Sequence, residues 1–110
     1  MRRTSKPDDL ALARRCAAAI RQLHPEAEII LYGSRARGTP DPDSDMDLLV
    51  LTTKELPWQD EEEVIDAVYA LELETGIIIS PIVESRSRWY TAKYQAMPLA
   101  EAVVKEGIRL

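Results

Sequence analysis

Between Met46 and Leu51 the chain reads MDLLVL, a nearly continuous apolar run that follows the acidic Asp45. A strand with one wet face alternates polar and apolar residues, so a run without alternation predicts a strand covered on both faces. Such a strand needs a layer on either side, and the rest of the chain reads as the material for those layers. From Ser5 a helix is expected, with Ser5 and Asp8 as a capping box and Pro7 in the first turn. Its apolar stripe is Leu10, Ala13, Cys16, Ala17, Ile20 and Leu23, and Pro25 stops it. Glu28 to Leu31 reads as a strand that runs into Tyr32-Gly33-Ser34. Arg35 to Ser44, with Gly38, Pro40 and Pro42, reads as a loop, so this strand and Met46–Leu51 are expected to pair as an antiparallel hairpin.

A second helix is expected from about Asp60, where Asp60 and Glu63 suit the positive end of its dipole. Val64, Ile65, Val68 and Leu71 form its stripe and Gly76 its C-terminal cap. Ile77 to Val83 reads as a third strand, with Pro81 requiring a sheet edge or a bulge. Ser87 to Tyr94 is expected to be a short helix, and Pro98 to Glu106, ending at Gly107, another. The order helix, strand, strand, helix, strand, helix predicts an α/β (α+β) protein with a small mixed sheet flanked by helices.

With 110 residues the chain is expected to form one domain, 1–110. At that length roughly 65% of the unfolded surface can be buried without disulfide staples. The single Cys16 and single His24 exclude a disulfide framework and a Cys/His metal centre. Both read as structural, Cys16 in the helix stripe and His24 at that helix's end. No apolar run reaches the roughly 20 residues of a membrane span, and Met1-Arg2-Arg3 leads into no signal-type segment. A cytoplasmic protein is the expectation. The net charge of −5 argues against binding long nucleic acids, which favour basic surfaces.

The chemistry is concentrated in LYGSRARGTPDPDSDMDLLVL, residues 31–51. Asp45 and Asp47 lie at i and i+2, so in a strand both carboxylates project from one face. Two such neighbours repel unless a cation lies between them, and Mg²⁺ takes oxygen ligands while keeping room for phosphates. Gly33 lets backbone approach an anion closely, and Ser34 can donate to it. Arg35 and Arg37 add positive charge. Taken singly, an Asp-x-Asp or a Gly-Ser turn is ordinary surface structure. An anion grip at one strand end facing a carboxylate pair at the next describes a site for a nucleotide and a metal.

Gly33-Ser34, ten intervening residues, then Asp45-x-Asp47 resembles the motif of the DNA polymerase β-like nucleotidyltransferase superfamily. Arg35-Ala36-Arg37-Gly38 and Ser44-Asp45-Met46-Asp47-Leu48-Leu49-Val50 resemble its minimal nucleotidyltransferase, or MNT, branch. The resemblance implies the nucleotidyltransferase fold, with Gly33, Ser34 and Arg35 at the phosphates of ATP or another nucleoside triphosphate. It also implies Mg²⁺ on Asp45 and Asp47, which would then be catalytic. Some family members act beside a small helical HEPN toxin as its antitoxin, and some transfer AMP to a tyrosine of that toxin. A HEPN-type partner is therefore expected, and self-association is left open.

The sequence departs from the family at one point. Active members carry a third carboxylate on the following strand, where this chain has Ser80 at the corresponding place. Glu84 shares the strand face but lies roughly 13 Å further on, unless a bulge at Pro81 shortens the path. Two readings stand: an enzyme transferring a nucleoside monophosphate to a hydroxyl, or a catalytically silent nucleotide-binding antitoxin. Trp89, Tyr90 and Tyr94 beside Arg86 and Arg88 read as core or a partner surface, Asp60–Glu63 as a solvated helix start, and Asp41 and Asp43 as turn residues.

Overall fold

The computed structural model describes residues 5–39 and 41–110. The charged start Met1-Arg2-Arg3 and the turn residue Pro40 lie outside the described residues. Ten elements follow in order: α1 (Pro7–Leu23), β1 (Glu28–Tyr32), α2 (Ser34–Arg37), β2 (Met46–Thr52), α3 (Trp58–Thr75), β3 (Ile79–Ser85), α4 (Arg86–Trp89), α5 (Ala92–Gln95), α6 (Pro98–Glu106) and β4 (Ile108–Arg109). The four strands form one mixed sheet in the order β3-β2-β1-β4. β1 and β2 pair antiparallel, as expected for the hairpin, and β4 pairs antiparallel with the other side of β1. β3 runs parallel to β2, which α3 makes possible by carrying the chain back across the sheet.

β2 is buried along both faces, and the two faces have separate cores. On one face Met46, Leu48 and Val50 join Ile29 and Leu31 beneath the α1 stripe of Leu10, Ala13, Cys16, Ala17 and Ile20 and beneath Val64 and Val68 of α3. On the other, Leu49 and Leu51 join Ile30 and Tyr32 beneath Trp89, Ala100 and Val103. The alternation of side chains along β2 decides which residue serves which core. Asp47 has the parity of the second face, and β1 and β3 flank it there through Tyr32 and Ser80.

Several expectations need correction. The Ser5–Asp8 capping box does not form: Pro7 occupies the first helical position, Lys6 is the N-cap, and no side chain caps the helix. The box is thus out of register by one residue. The expected loop after Gly33 opens with the one-turn helix α2, closed by Gly38 in the left-handed region at φ 79°. The helix expected over Ser87–Tyr94 is two short ones, because Ser85 caps α4 and Thr91 starts afresh by capping α5. Trp89 sits in the core while Tyr90 is exposed. Of the two expectations for Pro81 the sheet edge is the one met: β3 is an edge strand and pairs in unbroken register with β2, without a bulge. The short β4 carries no pattern of its own and exists because β1 offers it an open side.

Candidate active site

The site forms where β1 ends and β2 begins. Antiparallel register sets Tyr32 opposite Asp47, so the residue after Tyr32 meets the Asp47 side chain. That residue is Gly33, with φ 84°, a conformation side-chain-bearing residues rarely adopt. A Cβ placed on it would lie 2.4 Å from Asp47 Oδ2. Glycine is required twice over, by the backbone angle and by the carboxylate standing against it.

On the other side of Asp47, the parallel register sets Ser80 opposite it. The Ser80 hydroxyl donates to Asp45 Oδ2 at 3.3 Å. Asp45, Asp47 and Ser80 therefore come together, and the strand position expected to lack a carboxylate is the one beside Asp47. Glu84 does not fill it. Four residues along β3 it accepts a hydrogen bond from the Tyr94 hydroxyl at 2.8 Å and pairs with Arg88.

Burial holds the Asp47 carboxyl above its ordinary pKa, and the charges of Asp45 and Glu106 push it further the same way. Arg37 opposes them. The excess of negative charge, on an all-oxygen donor set, is the environment a hard cation relieves. Among the described residues, no group of three or more His, Cys, Asp or Glu side chains is arranged to hold a metal. Two carboxylates fit Mg²⁺ nonetheless, since that ion takes one or two and completes its shell with water and substrate phosphates.

Arg35 is not part of this cluster. Its Nη1 bonds Asp9 Oδ1 at 2.7 Å, its Nε donates to the Ser44 carbonyl at 3.0 Å, and both paired side chains are over nine-tenths buried. It lines a cleft of about 500 Å³ with Lys6, Asp8, Asp9, Asp41 and Pro42. Its guanidinium ties the start of α1 to the loop before β2, so the phosphate role expected for it is not supported by its placement. An arginine ten positions before an aspartate pair gives no sequence sign that a distant Asp9 will claim it.

The arginine beside the site is Arg37, through a residue that sequence reasoning missed. Glu106, the last residue of α6, accepts from the Gly33 N–H at 2.9 Å and from Arg37 Nη1 at 3.0 and 2.8 Å. One signal was present: a glutamate in the last helical turn opposes the helix dipole and needs a cation or donor elsewhere.

The family profile described as nucleotidyltransferase domain matches residues 13–95, three quarters of the chain. A protein of Methanocaldococcus jannaschii, provisionally named a protein adenylyltransferase, is 38% identical over 60 residues, covering 54% of this chain and 60% of that relative. The match thus spans less than two thirds of the relative's length. A solved chain provisionally described as a minimal nucleotidyltransferase is 26% identical, with a TM-score of 0.60, covering 93% of this chain and 95% of that one. A solved complex of a tri-AMPylated HEPN toxin with an MNT antitoxin, from Shewanella oneidensis, shares the fold at a TM-score of 0.58 and 18% identity, covering 92% of this chain and 70% of that one. The arrangement of two aspartates against a glycine turn has its explanation in kinship, for this chain belongs to the nucleotidyltransferase domain family.

Proposed function

We propose that the protein binds a nucleoside triphosphate with Mg²⁺ at Gly33, Ser34, Asp45 and Asp47, and transfers the nucleoside monophosphate, AMP from ATP, to a hydroxyl. The observation that carries this reading is the contact of the Asp47 carboxylate with Gly33. It sets a metal ligand beside a backbone stretch that phosphate can approach. In the reaction an acceptor hydroxyl oxygen bonds to the α-phosphorus, the bond to the β-phosphate bridging oxygen breaks, and pyrophosphate leaves. When bound, Mg²⁺ supplies charge neutralisation at the phosphates and the leaving group. Gly33 and Ser34 orient the phosphate chain, fixing the α-phosphorus in line with the acceptor. The acceptor's proton passes to solvent water, which reaches the site where Asp45 is exposed.

The acceptor belongs to a partner, by this reading a helical HEPN-type toxin to which the protein is the antitoxin. The toxin complex of the Shewanella relative supports this. So does α3, which leaves Trp58, Ile65, Tyr69 and Leu73 exposed on or near one side, a surface of the kind that partners cover. One domain, acting in the cytoplasm, is consistent with a chain in which no described helix is long and apolar enough to cross a membrane.

A second reading, a nucleotide-binding antitoxin without catalysis, is favoured by Ser80 where active relatives carry a carboxylate. Calorimetric titration with a non-hydrolysable ATP analogue, with and without Mg²⁺, tests the shared part. Binding that needs Mg²⁺ and is lost in Asp45→Ala/Asp47→Ala is the expected result; Mg²⁺-independent binding that survives the double substitution would remove this site. Labelled-ATP transfer to the co-purified partner then separates enzyme from silent antitoxin.

A further inference from the structure

Resting on the nucleotide site just described, we propose that Glu106 is a built-in stand-in for phosphate: its carboxylate holds the Gly33 N–H and the Arg37 guanidinium, and a nucleotide enters by displacing it.

Carboxylate and phosphate oxygens compete for the same partners, backbone N–H groups and arginine, through charge-assisted hydrogen bonds. Glu106 takes one of each. Oε1 lies 2.9 Å from the Gly33 nitrogen and 3.0 Å from Arg37 Nη1, and Oε2 lies 2.8 Å from the same Nη1. The side chain is only 18% exposed, whereas Arg37 is half exposed and free to turn toward a ligand.

Position separates this role from that of the missing third carboxylate. Ser80 borders Asp47 from β3, whereas Gly33 follows Tyr32 on the opposite neighbour, β1. Glu106 therefore stands on the phosphate-binding side of Asp47 and cannot replace an acid on β3.

Its placement is also electrostatically unfavourable, which makes it displaceable. An acid at the last turn of a helix faces the negative end of the dipole. It further adds to the negative charge that acts on Asp47. A polyphosphate arriving with a divalent cation relieves both: the cation answers Asp47, and phosphate oxygens take over the donors. The backbone need not move for this. Gly107 packs so tightly that a Cβ there would lie 2.4 Å from the Val103 carbonyl and 2.8 Å from Ile30, and β4 pairs onto β1 immediately after it. Only the glutamate side chain has to swing away.

The test is calorimetric titration of the full chain with Mg²⁺ and a non-hydrolysable ATP analogue, comparing wild type, Glu106→Gln, Glu106→Ala and Glu101→Ala. Glu101 is an exposed acid of the same helix, paired with Lys105, and controls for net charge. Thermal melts establish that each variant is folded, and the Gly33 amide resonance reports the donor directly. Glu106→Ala is expected to bind about tenfold more tightly, the loss of one competing charge-assisted contact, with Glu106→Gln intermediate and Glu101→Ala unchanged. The Gly33 amide should shift in the ligand-free Glu106 variants. Equal or weaker binding by folded Glu106 variants, while wild type still binds, overturns the proposal and leaves the site intact. Equal tightening in Glu101→Ala overturns it too, as a general charge effect. Absence of binding in all four proteins removes the nucleotide site itself and this proposal with it. If Glu106→Ala does not fold, Glu106→Gln, which keeps the shape and loses the charge, decides alone.

Discussion

Asp47 is the residue through which the site is assembled, and its neighbours define what each substitution would do. Gly33 flanks it just past the end of β1 and Ser80 on β3, so a carboxylate at position 80 would bring a third acid beside Asp45 and Asp47 without moving the backbone. Ser80→Asp is therefore expected to raise affinity for Mg²⁺–nucleotide by about tenfold, since a third carboxylate gives the cation a further oxygen ligand and a further negative charge. Titration of the variant against wild type at fixed nucleotide checks this, and weaker binding would place the metal elsewhere. At the same scale Arg35 shows how a side chain can be diverted. A buried Asp9 is a stronger attractor than an open site, because leaving either charge unpaired inside the protein is costly.

At the scale of elements, the turn from β1 into α2 is the most constrained stretch of backbone. Its left-handed Gly33 places Ala36 N–H and Arg37 N–H within 3.0 and 3.1 Å of the Gly33 carbonyl, which starts α2. Gly33→Ala meets both the backbone penalty of positive φ and the Asp47 carboxylate at 2.4 Å. A loss of about 1–3 kcal/mol in unfolding free energy is expected, from backbone strain plus the displaced carboxylate. Urea denaturation measures it, and nucleotide binding should fall by more than stability does. A variant as stable as wild type with unchanged binding would refute the contact. The hairpin β1–β2 and the helices α1 and α3 were legible beforehand because their periodicity is strong. The short α2, α4, α5 and β4 were read differently or missed, since each spans two to four residues and follows from local caps and an available sheet edge.

For the whole molecule, the two cores make stability sensitive to alkali. Cys16 of the first core is pushed up from 9.0 to about 11, chiefly by burial. Tyr32 of the second is pushed up from 10.0 to about 12, by burial and then by Asp47. Both groups are neutral when protonated, so the unfolded chain ionises first as pH rises and gains stability relative to the fold. The native state therefore holds its full advantage below pH 9 and loses it progressively toward pH 11 and 12. The loss is on the order of 2–3 kcal/mol for each group. Urea midpoints should be flat near pH 7–8 and decline above 9, with a shallower decline in Cys16→Ala. An equally steep decline in that variant would show that the thiol contributes nothing.

The sequence by itself determined the central strand, the mixed α/β layering and the pairing of a Gly-Ser turn with Asp45 and Asp47. Apolar periodicity and short-range spacing carry that information along the chain. Only the tertiary structure decided which arginine reaches the site, that Glu84 is engaged by Tyr94, and that Glu106 lies on Gly33. Those outcomes depend on partners 10 to 73 positions apart in sequence. Pairing of charges at such separations is set by how helices pack on the sheet, where the cost of an unpaired buried charge selects the partner.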